Sequence, residues 1–222
     1  MDHHTLIVTA HPDDETIFFG GLLISRPKSS THVICITNGN ADNQGSQRKK
    51  DFESALQSLE VTGEMLDFPD VYESRLEIDK LVDVLNARSA KEVFTHNVLG
   101  EYGHPHHQDV SYAVHKSFQG RADIYSTAYN AFPTVRTELT KSVWSKKLEL
   151  LSQQYWMETN RFIQFLPCSW TEGFAQIDLD EVEEVYLALA NKKPVNPRAL
   201  KQYKPMMKYI EHWAAEKNKR PF

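Results

Sequence analysis

Up to Phe132, the chain alternates short apolar runs with longer stretches of helical periodicity, and this alternation constrains the fold more than any other feature. The apolar runs are rich in β-branched residues, which predicts strands at Thr5–Ala10, His32–Thr37, Glu64–Phe68, Glu92–Thr95 and Ile124–Ala128. Apolar residues at helical spacing predict helices at Glu15–Ser25, Gln47–Leu59, Ile78–Ala87 and Asp109–Phe118. Strands that alternate with such helices predict an α/β fold, a Rossmann-like three-layer sandwich with a mostly parallel sheet.

After Phe132 the rhythm changes. Helices are predicted at Leu139–Gln153, Leu179–Asn191 and Pro197–Trp213, with less regular, aromatic-rich sequence before Ile177. We expect a single domain over residues 1–222, with a core at about residues 4–132 and a helical and irregular extension at about 133–222 that shapes the substrate site. Aromatic residues of this extension either pack in the core or stack against a sugar: Tyr155, Trp156, Phe162, Phe165 and Trp170.

Composition excludes several classes of protein. Hydrophobic residues make up 41% of the chain and charged residues 25%, as in ordinary globular domains. The net charge of -5 argues against a nucleic-acid partner, which requires a basic surface. No apolar run approaches the roughly 18 residues of a transmembrane segment. The oligomeric state stays open, and a homo-oligomer is compatible with the sequence.

The sequence also predicts a compartment. The first residues lack the basic-then-apolar order of a secretory signal, because three acidic residues come before any long apolar region. Two cysteines, Cys35 and Cys168, cannot make a disulfide framework, and Cys35 falls inside an apolar strand. We therefore expect a cytoplasmic protein with reduced thiols.

The histidines are concentrated near the ends of two predicted strands. Five of the ten fall between His96 and His115, after the fourth strand, and His11 follows the first strand within an acidic segment. In open parallel sheets, ligands bind outside the carboxyl ends of the strands, so the two segments are expected to face one site. Imidazole and carboxylate are both ligands for divalent transition metals, and catalytic zinc sites commonly use three protein ligands.

The acidic segment also has a purely structural interpretation. Asp13, Asp14 and Glu15 precede a helix, where acids cap the first turn and complement the helix dipole. Capping does not explain why the segment after the fourth strand gathers His104, His106 and His107, so a metal site is favoured.

Two short motifs carry a family resemblance. Residues Ala10–Glu15 read Ala-His-Pro-Asp-Asp-Glu, and Gly103–His107 read Gly-His-Pro-His-His. These motifs resemble the signatures of the LmbE-like or PIG-L family of zinc-dependent de-N-acetylases, which remove acetyl groups from N-acetylated amino sugars. The resemblance extends from about Thr5 to His115 and fades beyond Phe132. It implies a hydrolase that releases acetate and a free amine from a small-molecule N-acetylated sugar or sugar conjugate.

The resemblance also assigns roles to residues. It implies that His11, Asp14 and His107 bind Zn²⁺, or another divalent ion such as Fe²⁺, while Asp13 stays free as the general base. This division is physically sensible, since a metal-bound carboxylate has little basicity left, whereas its neighbour can accept a proton from water. His104 matches the family histidine that steadies the oxyanion, as an imidazolium or as an oriented N–H donor.

Three further residues match the family by position. Tyr102 resembles a tyrosine that assists the tetrahedral intermediate, Arg48 resembles an arginine that reaches the substrate pocket, and Asp70 resembles an acid that supports a histidine, with the His104 ring expected as its partner. The second motif is usually His-Pro-Asp-His, and here His106 replaces the aspartate. This departure leaves the implied ligand set intact but changes the groups that orient it. The alternative is that His106 itself competes for the ion.

Two other functions are compatible with these residues. One is a mononuclear metal hydrolase that acts on another amide or on an ester. The other is a non-catalytic metal- or nucleotide-binding module on a Rossmann-like sheet; the nucleotide version is weak because no Gly-x-Gly-x-x-Gly follows the first strand. A metal store has no use for a free carboxylate beside a ligand, and Asp13 is such a carboxylate.

Overall fold

The computed structural model describes residues 3–26, 28–72, 74–128, 132–160, 169–190 and 192–215. Within these residues one seven-stranded sheet runs in the order β3-β2-β1-β4-β5-β7-β6. The strands are β1 His3–Thr9, β2 Thr31–Thr37, β3 Thr62–Phe68, β4 Ala90–Thr95, β5 Asp123–Thr127, β6 Val135–Glu138 and β7 Thr171–Ala175. Strands β1 to β5 pair in parallel, whereas β7 is antiparallel to both β5 and β6.

Eight helices of the described chain surround the sheet. They are α1 Asp14–Ser25, α2 Gly45–Leu59, α3 Ile78–Asn86, α4 Pro105–Phe118, α5 Lys141–Gln153, α6 Trp156–Thr159, α7 Leu179–Leu189 and α8 Met207–Ala215. None of the described helices has the length and apolarity needed to cross a lipid bilayer.

The central strand β1 is buried on both faces. Leu6 and Val8 pack on one face, in a cluster that includes Leu81 of α3 and Val110 of α4. Ile7 points to the opposite face, where a second cluster includes residues of α1, α2 and α5. This alternation places helices on both sides of the sheet, and the predicted three-layer α/β architecture is confirmed.

The predicted elements of the core are present, and the most important boundary error concerns α4. The sequence predicts that this helix begins at Asp109, whereas in the structure it begins at Pro105 with His104 as N-cap. Proline is favourable in the first turn because its missing N–H has no partner there anyway. His106 and His107 therefore lie on the first turn of a helix rather than in a loop, and their orientation is fixed by the helix.

The C-terminal region differs more from expectation. Strands β6 and β7 extend the core sheet, although the sequence analysis describes this region as helical and irregular. The last helix begins at Met207 rather than at Pro197, after a short 3₁₀ turn. The seventh helix is described to Leu189, and Asn191, where it was predicted to end, lies outside the described residues.

A buried ion pair joins this region to α1. Lys147 on α5 is fully buried and places its Nζ 2.7 Å from Glu172 Oε1 on β7. The Glu172 carboxylate also accepts the backbone N–H groups of Gly21 and Leu22. Gly20 lies against the lysine stem, because a Cβ there would come within 3.0 Å of Lys147 Cγ. Gly20 therefore lets α5 pack closely against α1.

The topology places two chain segments at one point. Strands β2 and β4 flank β1, so the chain leaves β1 and β4 side by side at the same edge of the sheet. The strand order reverses direction here, which is where ligands bind in open α/β sheets. Residues His11 to Asp14 follow β1, and residues His96 to His107 follow β4.

Candidate metal centre and active site

The segment after β1 is held directly against the segment after β4. The backbone N–H of Ala10 donates to His96 Nε2 at 2.9 Å. Asp14 begins α1, and its Oδ2 accepts the backbone N–H of His11 at 2.8 Å. Both contacts are buried, so the acidic segment has little freedom to move away from β4.

Three side-chain atoms converge in a buried group that we call the metal triangle: His11 Nδ1, Asp14 Oδ2 and His107 Nε2. His11 Nδ1 lies 3.2 Å from His107 Nε2 and 3.3 Å from Asp14 Oδ2. The third side, from His107 Nε2 to Asp14 Oδ2, measures 3.4 Å. The structure thus brings together the three residues named as ligands from the sequence, which come from two segments far apart in the chain.

These distances fit a divalent ion. Ligand atoms at 2.0–2.1 Å from a tetrahedral zinc ion lie about 3.3–3.4 Å from one another. The charges fit as well: the nearby carboxylates of Asp14 and Asp70 outweigh the effect of burial and raise the pKa of His11 to about 9, so its surroundings favour positive charge. Burial, together with His96, lowers the pKa of His107 to about 4 despite the neighbouring Asp14, which keeps its Nε2 free of a proton. These residues could therefore hold a divalent metal.

Glu101 orients the ligand His107 from behind. Its Oε2 lies 2.7 Å from His107 Nδ1 and 3.2 Å from His96 Nδ1. The other oxygen accepts the backbone N–H of Asn97 and the hydroxyl of Thr127. Burial would raise the pKa of Glu101, but the two histidines lower it to about 2. Sequence reasoning missed this residue, although an acid that holds the far nitrogen of a ligating histidine is the usual companion of such a site.

Asp13 is the buried carboxylate next to the ligand Asp14. Burial and the charge of Asp14 raise the pKa of Asp13 well above its usual value, against the opposing effect of Arg48. Its φ is 114°, which a residue with a side chain rarely adopts. Glu15 stabilises this backbone, because its Oε2 accepts the N–H of Asp13 at 3.1 Å and its Oε1 accepts the hydroxyl of Tyr155 at 2.8 Å.

Tyr155 brings the C-terminal region into the site. It lies between α5 and α6, and its side chain is fully buried. Of the other aromatic residues singled out there, Trp156 is 51% exposed and Trp170 is 42% exposed. Phe162, Phe165 and Cys168 lie outside the described residues.

His104 reaches the metal triangle as the N-cap of α4. Its Nδ1 accepts the backbone N–H of His106 at 3.2 Å, which leaves the proton of the neutral ring on Nε2. Burial and the neighbouring histidines hold its pKa well below the usual range. Its ring centroid is 4.5 Å from that of His11 and 4.8 Å from that of His107. Of the two states left open by the sequence, the structure favours the neutral N–H donor over the imidazolium.

Tyr102 lies at the mouth of the site and is 44% exposed. Its ring meets the rings of His104 and His107 edge-on, with centroids 6.0 and 5.4 Å away. The loop that carries it packs under α8, because a Cβ on Gly103 would come within 1.9 Å of the Trp213 ring. Gly103 also has a φ of 96°, so glycine is required here on both counts.

Arg48 links several parts of the site. Its Nη2 donates to the Pro12 carbonyl at 2.8 Å and lies 3.7 Å from Asp13 Oδ2. Its Nε lies 3.5 Å from Glu158 on α6, and its Nη1 lies 3.5 Å from Asp70 Oδ2. The guanidinium is thus surrounded by acids beside the candidate base, and its predicted contact with substrate stays a prediction.

Asp70 is oriented differently from expectation. The family resemblance predicts that Asp70 holds the His104 ring, whereas its Oδ1 lies 3.5 Å from both His11 Nε2 and His106 Nδ1. These histidines outweigh burial and hold its pKa well below the usual range. The expectation about His104 is therefore wrong, because β3 delivers Asp70 to the far side of the His11 ring. A substrate contact by Asp70 stays a prediction.

A family model described as GlcNAc-PI de-N-acetylase, PIG-L, matches residues 6–118, which is half of the chain. The chain belongs to the PIG-L family. The match covers β1 to α4 and contains both histidine-rich segments. The resemblance inferred from the two motifs is therefore confirmed.

Curated relatives of this PIG-L protein agree. It is 38% identical over 125 residues to N-acetylglucosaminyl-phosphatidylinositol de-N-acetylase of Bos taurus. The aligned residues cover 50% of this chain and 48% of the relative. It is 30% identical over 137 residues to the 1D-myo-inositol 2-acetamido-2-deoxy-alpha-D-glucopyranoside deacetylase of Corynebacterium diphtheriae, covering 45% and 47%. The matches span about half the length of these relatives.

Solved structures show the same fold. The N,N'-diacetylchitobiose deacetylase from Pyrococcus horikoshii superposes with a TM-score of 0.64 at 17% identity, covering 79% of this chain and 84% of that one. The A40926 pseudoaglycone deacetylase Dbv21 superposes with a TM-score of 0.62 at 13% identity, covering 78% and 96%. Coverage near four fifths shows that the shared fold extends beyond the residues matched by the family model.

Proposed function

We propose that this PIG-L protein is a zinc-dependent hydrolase that removes the N-acetyl group from an amino sugar within a sugar conjugate. The metal triangle carries the proposal: two imidazole nitrogens and one carboxylate oxygen lie 3.2–3.4 Å apart, with the free carboxylate of Asp13 next in the chain. Two histidines and one carboxylate are an established ligand set for catalytic zinc. The names of the curated relatives support the acetamido sugar as substrate.

The residues around the triangle have complementary tasks. A zinc ion held by His11, Asp14 and His107 would supply Lewis acidity, which lowers the pKa of a water to about 7. Asp13 would take the proton from the attacking water. Its pKa is raised by burial, and a base whose pKa approaches the working pH is the more effective proton acceptor. Arg48 lies 3.7 Å from this carboxylate, and its positive charge favours the ionised form against the effect of burial.

His104 would act on the other side of the acetamide. As water oxygen bonds to the acetyl carbon, negative charge develops on the carbonyl oxygen, and the neutral His104 Nε2–H is available to donate to it. Tyr102 would approach the same oxygen from the mouth of the site. The C–N bond then breaks, Asp13 returns its proton to the leaving nitrogen, and acetate and a free amine remain. Each step would use a group at the carboxyl edge of the sheet.

Amine release from a panel of N-acetylated substrates tests the proposal. Zinc-loaded protein would be incubated with N-acetylglucosaminyl-phosphatidylinositol, N-acetylglucosaminyl-inositol and N,N'-diacetylchitobiose, with simple esters and other amides alongside. We expect zinc-dependent release of free amine and acetate in equal amounts from at least one acetamido sugar. Turnover of the esters or other amides alone would replace the proposal with the broader metal hydrolase, and no turnover at all would favour a non-catalytic metal-binding module.

A pair of adjacent substitutions separates base from ligand. Asp13→Asn keeps the shape of the side chain but cannot accept a proton, so we expect it to retain zinc and lose about a hundredfold or more of turnover. Asp14→Ala removes one side of the metal triangle and should lose both zinc and turnover. Metal analysis and amine release on the same preparations give the result, and near-normal turnover by Asp13→Asn would remove Asp13 from the mechanism.

A further inference from the structure

His11 is shared between two triangles of ligand-type atoms. Its Nδ1 belongs to the metal triangle, whereas its Nε2 points to the opposite side of the ring. There it lies 3.2 Å from His106 Nδ1 and 3.5 Å from Asp70 Oδ1. The remaining side, from His106 Nδ1 to Asp70 Oδ1, also measures 3.5 Å. We call these three atoms the second triangle, and each of the three residues is at least nine-tenths buried.

Hydrogen bonding explains the second triangle poorly. Good N–H···O bonds are about 2.9–3.0 Å long, and both nitrogen-to-carboxylate distances here are well beyond that. Two imidazole nitrogens 3.2 Å apart can share only one proton, so at least one side of the triangle is left without a bridging hydrogen. The other ring nitrogen of His106, Nε2, is buried and has no hydrogen-bond partner among the described residues. The ring is therefore not held by a pair of hydrogen bonds.

The same distances suit a cation. Ligand atoms around a tetrahedral divalent ion lie about 3.3–3.4 Å apart. The sides of the second triangle, 3.2, 3.5 and 3.5 Å, lie close to this spacing. The donor set, two imidazoles and one carboxylate, repeats that of the metal triangle and is typical of sites for zinc, cobalt and related ions. We propose that His11 Nε2, Asp70 Oδ1 and His106 Nδ1 form a second binding site for a divalent transition-metal ion, bridged to the first by the His11 ring.

The second ion should bind more weakly than the first. Coordination through both nitrogens of His11 requires the ring to release its remaining proton to solvent, which the first site does not require. Arg48 adds to the cost, because its Nη1 lies 3.5 Å from Asp70 Oδ2 and its positive charge opposes a cation there. The inference uses the first site of the proposed function but goes beyond it, since the proposed chemistry needs one ion.

A zinc titration tests the site. Protein stripped with a chelator would be dialysed against zinc at buffered free concentrations, and the zinc bound per chain measured. The wild-type chain should bind two ions in separate steps, and His106→Leu should bind one. His115→Leu is the matched control, because His115 is also fully buried on α4 with an unpartnered Nε2, more than two turns beyond the site. It should bind two ions.

Two results would overturn the inference: saturation of the wild-type chain at one ion, or a second ion retained by a folded His106→Leu protein. Where circular dichroism shows that His106→Leu does not fold, Asp70→Asn replaces it. A neutral amide is a poorer ligand than a carboxylate, so the second step should shift to higher free zinc while the first stays unchanged. Amine release is measured separately on the wild-type protein. A protein that binds one zinc ion and releases amine would refute only the second site. A protein that binds two zinc ions and releases no amine would refute only the proposed function.

Discussion

Two features of the structure make the His104 ring a neutral hydrogen-bond donor. The N–H of His106 occupies its Nδ1, and burial among other histidines disfavours a second proton. The ring is thus ready to donate from Nε2 before any charge develops on a substrate. Donors fixed in advance are worth more than donors that must reorganise, because the reaction does not spend free energy on turning them.

We expect His104→Ala to retain zinc and lose about a hundredfold to a thousandfold of turnover, which is roughly 2.7–4 kcal/mol of transition-state stabilisation. Tyr102→Phe should show a smaller loss, since Tyr102 is partly exposed at the mouth of the site. Metal analysis and amine release measure both effects. Ligand-type atoms of His11, His104 and His107 also lie within 4.8 Å of one another, so loss of zinc in His104→Ala would make His104 a ligand instead.

Glu101, which orients the ligand His107, could not be predicted from the sequence. It lies in a stretch of loop with no periodic pattern, and its role depends on contacts with His107, His96 and Thr127 that only the fold creates. The ligands themselves were predictable, since they occur in two compact motifs after predicted strands. Partners of ligands carry no such local signal, and the same holds for Tyr155, whose contact with Glu15 only the fold creates.

Glu101→Gln should weaken zinc binding by about 10–100-fold, because a neutral amide fixes the orientation and basicity of His107 less well than a carboxylate. Competition with a chromogenic chelator gives the affinity. Glu53→Gln, at an exposed position of α2, is the control and should bind zinc as the wild type does. Unchanged affinity in Glu101→Gln would show that His107 is held in place by its helix alone.

Among single elements, α4 contributes most to the site, and its start was predicted at Asp109 rather than at Pro105. Its first turn contains polar residues and a proline, which lack the apolar spacing of a helix, so the periodic pattern begins only at Asp109. The capping residue His104 and the proline after it were the available signal. The antiparallel strands β6 and β7 were missed for a different reason: β6 is exposed along its length and short, and carries no hydrophobic pattern.

Helix α4 also carries a buried histidine outside the site. His115 donates from Nδ1 to the Ser111 carbonyl, and burial lowers its pKa to about 4 from an ordinary value of 6.5. Below pH 6.5, His115 therefore binds a proton in the unfolded chain but not in the folded chain. Stability from this residue is fully present above pH 6.5 and is lost as the pH falls toward 4.

Between pH 7 and pH 5 the loss attributable to His115 should be about 2 kcal/mol. We expect His115→Leu to reduce the difference in free energy of unfolding between these two pH values by that amount. Urea denaturation at each pH measures it. A pH dependence in His115→Leu equal to that of the wild type would contradict the assignment.

For the molecule as a whole, the buried pair of Lys147 and Glu172 links the C-terminal region to the core. Lys147→Met leaves a carboxylate buried without its counter-charge, and removal of one partner of such a pair costs about 3–5 kcal/mol. We expect a loss of that order in the free energy of unfolding, measured in urea at pH 7. The double variant Lys147→Met with Glu172→Gln should recover part of it, because the remaining charge is removed.

The neighbouring lysine provides the control. Lys146 lies on the same helix, is partly exposed, and pairs with Glu149 at 3.7 Å near the surface. Exposed pairs contribute about 0–1 kcal/mol, so Lys146→Met should change stability little. Equal effects of the two substitutions would mean that the C-terminal region is held by its apolar contacts, such as those of Phe174 with Phe19, rather than by the ion pair.

The backbone at Asp13 shows that folding and chemistry favour different residues at one position. A φ of 114° suits glycine, and a glycine there would relieve strain of order 1–3 kcal/mol. Selection for thermal stability alone would therefore favour glycine at position 13, and the candidate base would be lost. Glu15 stabilises the strained backbone of Asp13, and Tyr155 in turn holds Glu15. A residue beyond the family motifs therefore helps the fold to tolerate the aspartate.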